Sequence, residues 1–437
     1  MKNESNRMAR SAAPAGLLLL AFLLRAVYVL SLPDQLIWSD EKDHFRLSQS
    51  LALGQGYVSE SGEPTAIRPP GFPLFLAVLR KVGVESLLAI RLMQAFLGTL
   101  TLWLLYRLVR SICSERSWAL TTLALGALYP YFIYLPGALL ATTWFSLLLV
   151  ASVYFIHRSF YYAEPWPMVG AGLTMGLATL AVPTGLILIA ASLLWLLRYH
   201  VPLKHIVLYA ALVLLTLCPW LLRNGTQVGV WNLSSTGGYN FWLGNNPQSQ
   251  IELPGQVRPP LNGDGGAIDS LPEKERDQFY TAEAWRYIFQ QPGRFLLQTG
   301  RKALYFWRLD PSPVTQSHLG LNRSIQWLGT ISFTLLFLSG VVGFALFPNT
   351  LQPLRTLWFY YFFAFTLLYA VTIVKVRFRL PLDHLLLILS AYGLVQLAER
   401  FFSPWRRTRP LSRLHLPRGE QTGGGKSSLS LRESNFS

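Results

Sequence analysis

The chain has 437 residues, 51% of them hydrophobic and 14% charged, with a formal net charge of +16. Soluble domains carry about 25% charged residues, so this composition is short of solvated surface and argues against a soluble enzyme. The positive charge does not point to nucleic acid either. Much of it lies at the termini (Lys2, Arg7, Arg10, Arg406, Arg407, Arg409, Arg413, Arg418) and beside the ends of apolar runs, which is the positive-inside pattern of a membrane protein.

Taken in chain order, apolar runs such as "AGLLLLAFLLRAVYVLSL" recur along most of the sequence. A bilayer needs roughly 20 apolar residues per crossing. Length and flanks then predict roughly ten spans, at 13–32, 86–109, 117–135, 137–157, 167–182, 183–199, 205–222, 324–347, 353–374 and 380–401. The first run lacks an A-x-A cleavage site and reads as a retained helix. Basic loops at 107–116, 157–166, 200–204 and 348–355, with the two basic termini, are expected on the cytoplasmic side. Cys113 and Cys218 then fall near opposite faces, and no disulfide is expected.

The expectation is an all-α, polytopic helix bundle of a bacterial-type inner or plasma membrane, with two extracytoplasmic loop regions. Its parts are an N-terminal transmembrane module, 1–222, that includes the external loop 33–85; an external region, 223–323; C-terminal helices, 324–402; and a disordered basic cytoplasmic tail, 403–437. The 223–323 region is far longer than the usual connection between packed helices. It holds turn-rich sequence and then "EKERDQFYTAEAWRYIFQQP", where Phe279, Ala282, Trp285 or Arg286, and Phe289 recur at helical spacing. "FPLFLAVLRKVG" (72–83) is too short to span and reads as interfacial or re-entrant. In the tail, "GEQTGGGKSS" imitates a phosphate-binding loop, but Glu420 stands where the motif requires glycine.

Polar groups suited to chemistry gather in the external segments. In "LIWSDEKDHFRL", a helix capped by Ser39 would put Asp40, Asp43 and His44 on one face at i, i+3 and i+4. That spacing suits a divalent cation or a carboxylate acting as general base, and it equally suits plain solvation of a span end. No second His/Cys cluster accompanies it, so no structural metal site is expected. "TAIRPPGFP" fixes an irregular chain that projects Arg68, either to grip a phosphate or to snorkel towards headgroups. "KVRFRLP" sets Lys375, Arg377 and Arg379 against the positive-inside trend, and alternation would place Arg377 and Arg379 on one side of an extended segment. Arg25 and Arg91 lie in or near spans, where a charge usually faces an interior partner or a polar cavity; Arg25 either braces the bundle or snorkels, and neither reads as catalytic.

The stretch "DEKDHFRLSQSLALGQGYVSESGEPTAIRPPGFPLFLAVL" resembles the first external loop of the GT-C membrane glycosyltransferases. The nearest type is that of the protein O-mannosyltransferases and the lipid A aminoarabinose transferase. Further matches are "AIRLMQAFLGTLTLWLLYRLVR", "PWLLRN", "GGYNFWLGNNP" and "RFRLPLDHLLLILSAYGL", in the family's order across most of 13–402. The resemblance implies a helical bundle whose first seven helices form a shared module. It also implies inverting transfer of a sugar from a polyprenyl-phosphate carrier to a lipid, glycan or protein hydroxyl outside the cytoplasm. Asp40 would be catalytic with Glu41 beside it. Arg68, Arg377, Arg379 and Lys375 would meet the carrier phosphate, with Tyr57 and Asn245 lining the substrate site and Asp43 and His44 in support. The chain departs from the family at Thr142, where an acidic residue is common, and at Val182, where arginine is common. The missing acid weakens the case for a bound divalent cation, and no cofactor is otherwise expected. Two other classes remain open: a transporter of a lipid-linked sugar, which would usually show internal repeats, and a non-catalytic scaffold.

Overall fold

A computed structural model describes residues 2–113, 115–251, 268–309 and 323–402. The phosphate-loop imitation and the basic tail lie outside these residues. The regular secondary structure of the described residues is helical, with only isolated bridge positions such as Val58 with Pro64 besides. Its helices are α1 (Lys2–Leu30), α2 (Ser39–Ala52), α3 (Gly71–Lys81), α4 (Leu87–Ile112), α5 (Arg116–Leu128), α6 (Pro130–Tyr134), α7 (Thr142–Tyr162) and α8 (Pro167–Ala181). They continue with α9 (Gly185–Arg198), α10 (Leu203–Gln227), α11 (Gly237–Gly244), α12 (Glu273–Gln290), α13 (Pro292–Phe306), α14 (Arg323–Ala345), α15 (Gln352–Val371) and α16 (Leu380–Phe402).

All ten expected spans are helical, but they are not alike. Among the described residues, six stretches are long and apolar enough to cross a membrane: Ala12–Leu30, Leu87–Ile112, Leu203–Gln227, Trp327–Ala345, Asn349–Val371 and Leu380–Phe401. A seventh is a bent pair, Arg116–Leu128 with Pro130–Gly137, angled by 59°. Pro130 opens the second limb at a position where its missing N–H breaks the hydrogen-bond ladder. The expected spans 167–182 and 183–199 are helices of only 15 and 14 residues. At 1.5 Å per residue each reaches roughly 20 Å, short of a hydrocarbon core of about 30 Å. Pro183 separates the two. The number ten is therefore approximate, and the protein is an integral, multi-pass membrane protein.

Packing follows small residues and a few polar joints. α14 crosses α16 where Gly343 and Gly393 leave no room for a Cβ against the facing backbone, and there Ser339 and Ser390 share a hydrogen bond of 2.6 Å. α9 packs on α15 through Ser192 and Tyr361, 2.6 Å apart. Arg25 is fully buried and donates to the carbonyls of Ala21 (2.8 Å) and Gly126 (3.1 Å). A charge inside a bundle needs such interior partners. Arg91 ties α4 to the loop after α1 through the Pro33 and Gln35 carbonyls.

A second layer is built from α2, α3 and α11 to α13. Glu273, at the start of α12, accepts from Ala66 N (2.9 Å), Ser235 Oγ (2.7 Å) and Thr65 Oγ1, so it joins the segment between α2 and α3 to the region after α10. The α12 helix forms as expected, but its buried face differs. Tyr280, Ala284, Tyr287 and Ile288 are buried, whereas Phe289 is 77% exposed and Trp285 is 47% exposed. The helix carries two apolar stripes, and contact of Tyr280 with Tyr239 and Trp242 on α11 selects between them. α3 is the expected short helix, and it packs on α2 and α8.

Candidate active site

The site is assembled from three stretches distant in sequence. The first is the opening turn of α2. Trp38, not Ser39, is the capping residue, and the helix begins one residue earlier than the cap assignment at Ser39 implies. Glu41 reaches back along this turn: its Oε2 accepts from Ile37 N and Trp38 N, both 2.8 Å, and its Oε1 from Leu139 N at 2.7 Å. Glu41 is 1% exposed, and its two oxygens are satisfied by buried backbone. It fixes α2 against the segment between α6 and α7, which leaves Asp40 and Asp43 to point the other way into the site.

The second stretch is the Pro-Pro turn. Tyr57 donates to the carbonyls of Arg68 (2.9 Å) and Pro69 (3.2 Å), and its ring lies edge-on to Trp220. Arg223 at the end of α10 donates to the carbonyls of Tyr57 (2.7 Å) and Thr65 (2.5 Å). The turn is thus clamped from behind, and Arg68 projects forward. Its Nη2 lies 2.6 Å from Asp40 Oδ1 and 2.8 Å from Asp43 Oδ2, with Nε 3.0 Å from the same Asp43 oxygen.

The third stretch is the link between α15 and α16. Arg377 Nη2 donates to Asp40 Oδ2 at 2.5 Å. The expectation that Arg377 and Arg379 share a side fails, because Val376–Phe378 forms a 3-10 turn instead of an extended segment. At three residues per turn, positions two apart point in different directions. Arg379 turns inward and is 1% exposed. It meets Asp383 at 3.1 Å and the carbonyls of Phe306 (3.2 Å) and Arg308 (3.4 Å), with its plane over the Phe333 ring.

Asp40 therefore bridges two guanidinium groups. Burial alone would raise its pKa, but Arg377 and Arg68 outweigh burial and hold its carboxyl well below the usual carboxylate range. Lys375 faces the same charges. Burial and Arg377 push it down to about 8, against the opposing pull of Asp40. His44 sits edge-on to Phe72 and is driven down to about 3 by burial and by Arg68, so the imidazole is neutral. The cluster is open: the Arg68, Asp40 and Arg377 side chains are 22%, 23% and 19% exposed.

Of the expected site residues, Asp40, Asp43, Arg68 and Arg377 come into direct contact, with Lys375 and His44 near them. Glu41, Tyr57 and Arg379 hold structure around the cluster. Asn245 is buried away from it and donates to the carbonyls of Phe241 and Val371, both 2.8 Å. Three contributors escaped sequence reasoning: Glu273, Arg223 and Arg46, the last lying 4.0 Å from Asp43 and 3.5 Å from Glu60. The only signal for Arg223 is its place in "PWLLRN". A divalent cation does not fit this donor set, since guanidinium nitrogens occupy both Asp40 oxygens. Among the described residues, no group of three or more His, Cys, Asp or Glu is placed to hold a metal.

Residues 67–222 match the model of the dolichyl-phosphate-mannose-protein mannosyltransferase family, a stretch that includes Arg68. No curated protein matches the chain in sequence. Among solved structures, the chain is similar to ArnT from Cupriavidus metallidurans in the apo state, with a TM-score of 0.53 and 14% identity over 91% of this chain. It spans 62% of the length of that ArnT chain. The structure of the same ArnT bound to undecaprenyl phosphate superposes with a TM-score of 0.41 and 14% identity, over 90% of this chain and 79% of the other. The bundle thus has the GT-C fold of ArnT, and residues 67–222 carry the sequence pattern of the dolichyl-phosphate-mannose-protein mannosyltransferases.

Proposed function

We propose that this protein is a membrane glycosyltransferase that moves a sugar from a polyprenyl-phosphate carrier to a hydroxyl acceptor on the extracytoplasmic face, with inversion. One observation carries the reading: an accessible carboxylate, Asp40, is held between two guanidinium groups brought from separate loops. The family matched by residues 67–222 uses a polyprenyl-phosphate sugar by its own description, and that donor supplies an anion suited to Arg68 and Arg377.

In the unliganded arrangement Asp40 is a poor base, because two cations stabilise its charged form. An arriving phosphate competes for the same guanidinium groups. It weakens their hold on Asp40 and adds a negative charge nearby, and both effects raise the carboxylate's proton affinity. The base then becomes competent only beside a bound donor. Asp40 takes the acceptor hydroxyl proton as that oxygen attacks the anomeric carbon from the face opposite the phosphate. The bond between carbon and phosphate oxygen breaks, and the polyprenyl phosphate leaves with its charge held by Arg68 and Arg377. Lys375 adds a third positive group while it is protonated.

The test is Asp40→Asn in purified, reconstituted protein, assayed for release of polyprenyl phosphate and for sugar on an acceptor. A general base is worth roughly 10²–10⁴-fold, so turnover should fall by that factor while thermal stability is kept, since Asp43 still holds Arg68. Turnover close to that of the unaltered protein would remove the assignment. Carrier crossing the vesicle intact would indicate a transporter instead.

A further inference from the structure

Arg377 sits on the short link between α15 and α16, and one helix of the second layer, α13, holds that link at both ends. At the first end, Lys302 Nζ donates to the carbonyls of Thr372 (2.8 Å) and Gly244 (3.0 Å). Thr372 caps the C-terminus of α15, and Gly244 is the last residue of α11. Both oxygens therefore lack an intrahelical N–H. The adjoining Val371 carbonyl accepts from Asn245 Nδ2 at 2.8 Å, and Ile373 and Val374 are buried. At the second end, Phe306 reaches Phe378 through Tyr369. Phe306 stacks on the Tyr369 ring with centroids 5.6 Å apart, and Tyr369 stacks on Phe378 at 4.7 Å. Lys302 and Phe306 are one turn apart on α13 and share a face. Lys375 and Arg377, the two cations of this link that interact with Asp40, lie between the points so fixed.

A buried ammonium is a costly joint. Lys302 is 2% exposed; burial pushes it down to about 8, and no neighbouring charge opposes that shift. Its stabilisation comes from the two carbonyls and from the C-terminal ends of two helices, where the backbone dipoles favour a cation. An apolar side chain would fill the same space without the desolvation cost. What the lysine adds is direction, because its donors draw two helix ends to one point.

We propose that Lys302 is a positioning residue for the phosphate donor: by holding Thr372 it fixes the link from which the Arg377 guanidinium meets the donor phosphate. This role presupposes the glycosyltransferase reading of the Asp40 cluster and adds a determinant outside it. Lys302 acts through the backbone between Thr372 and Arg377. A displacement of about 1 Å there is enough to weaken a charge-assisted contact.

The test is a double-mutant cycle in purified full-length protein, read as the Kd for farnesyl phosphate in detergent. Lys302→Met should weaken binding about fivefold alone, and by less than about twofold when Arg377→Gln is already present, because residues that act through one another are not additive. Combined with Arg68→Gln, whose turn is clamped by Tyr57 and Arg223 instead, Lys302→Met should again weaken binding about fivefold. If Lys302→Met does not fold, Lys302→Gln, which loses the charge and keeps an N–H donor, carries the same cycle. Binding unchanged by the Lys302 variant, or an equal loss in all three backgrounds, would overturn the positioning role and leave the reading of the Asp40 cluster in place. An unaltered protein that does not bind farnesyl phosphate would remove the donor reading and the positioning role together.

Discussion

Two arginines separated by one residue, Arg377 and Arg379, each meet an aspartate, and the two pairs differ in almost every other respect. The Arg379–Asp383 pair is closed. Its side chains are 1% and 0% exposed, Asp383 also accepts from Tyr129 at 2.9 Å, and two carbonyls and the Phe333 ring take up the rest of the guanidinium. The Arg377–Asp40 pair is open and joined to a second cation, Arg68, with Lys375 nearby. A closed pair has no valence left for a ligand and serves the fold. An open one can exchange its anion, which a phosphate-handling site requires.

That contrast can be broken by substitution. The largest effect is expected at the closed pair: Arg379→Ala strands Asp383 in the bundle and should cost about 3–5 kcal/mol of stability, read by thermal unfolding in detergent. Arg379→Met with Asp383→Leu should recover most of that loss, since no unpaired charge is then buried. Glu41→Ala, which leaves three backbone N–H groups without their acceptor, should cost about 3 kcal/mol. A Glu41 variant with full stability but no turnover would move this residue into the chemistry. At the open pair, Arg377→Gln should change stability by about 1 kcal/mol or less. Its donor KM should rise about tenfold, the equivalent of one charge-assisted hydrogen bond of about 1.4 kcal/mol.

The smallest effect is a pH dependence. Lys375 has a pKa lowered to about 8 by burial and by Arg377 and Arg68, against the pull of Asp40. It is charged below that pH and neutral above it. The donor KM should therefore rise a few-fold as pH climbs through 8. In Lys375→Arg, whose group stays charged throughout this range, the rise should vanish. A KM that is flat across this interval in the unaltered protein would exclude Lys375 from donor binding.

The helical architecture was legible because apolar length and basic flanks are properties of the chain itself. The span count was less so: Pro130 and Pro183 interrupt runs whose composition alone reads as continuous. Within the cluster, the choice of Asp40, Arg68 and Arg377 as candidates came from charge against the positive-inside trend and from ordered motifs. The direction of each side chain did not. Alternation assumed an extended 375–379, and a 3-10 turn sent Arg379 inward. Glu41 and Asp40 are adjacent carboxylates, yet one meets backbone amides and the other guanidinium groups, a division set by Leu139 and Arg68 from elsewhere in the chain. Clamping by Arg223 and Glu273 depends on contacts across about 160 and 210 positions, for which a single sequence carries no pattern.

The seam between the second layer and the bundle has its own consequence. Gly244 lies flat against the Thr372 backbone with no room for a Cβ, and Lys302 donates to the carbonyls of both, at 3.0 and 2.8 Å. Arg377 follows Thr372 by five residues. Transplanting the 223–309 region from a relative to retarget the acceptor would therefore succeed only if the graft carries its own glycine and lysine to this joint. A mismatched graft would misaim Arg377 while leaving the identity of every residue in the Asp40 cluster unchanged, and would pass for a specificity change.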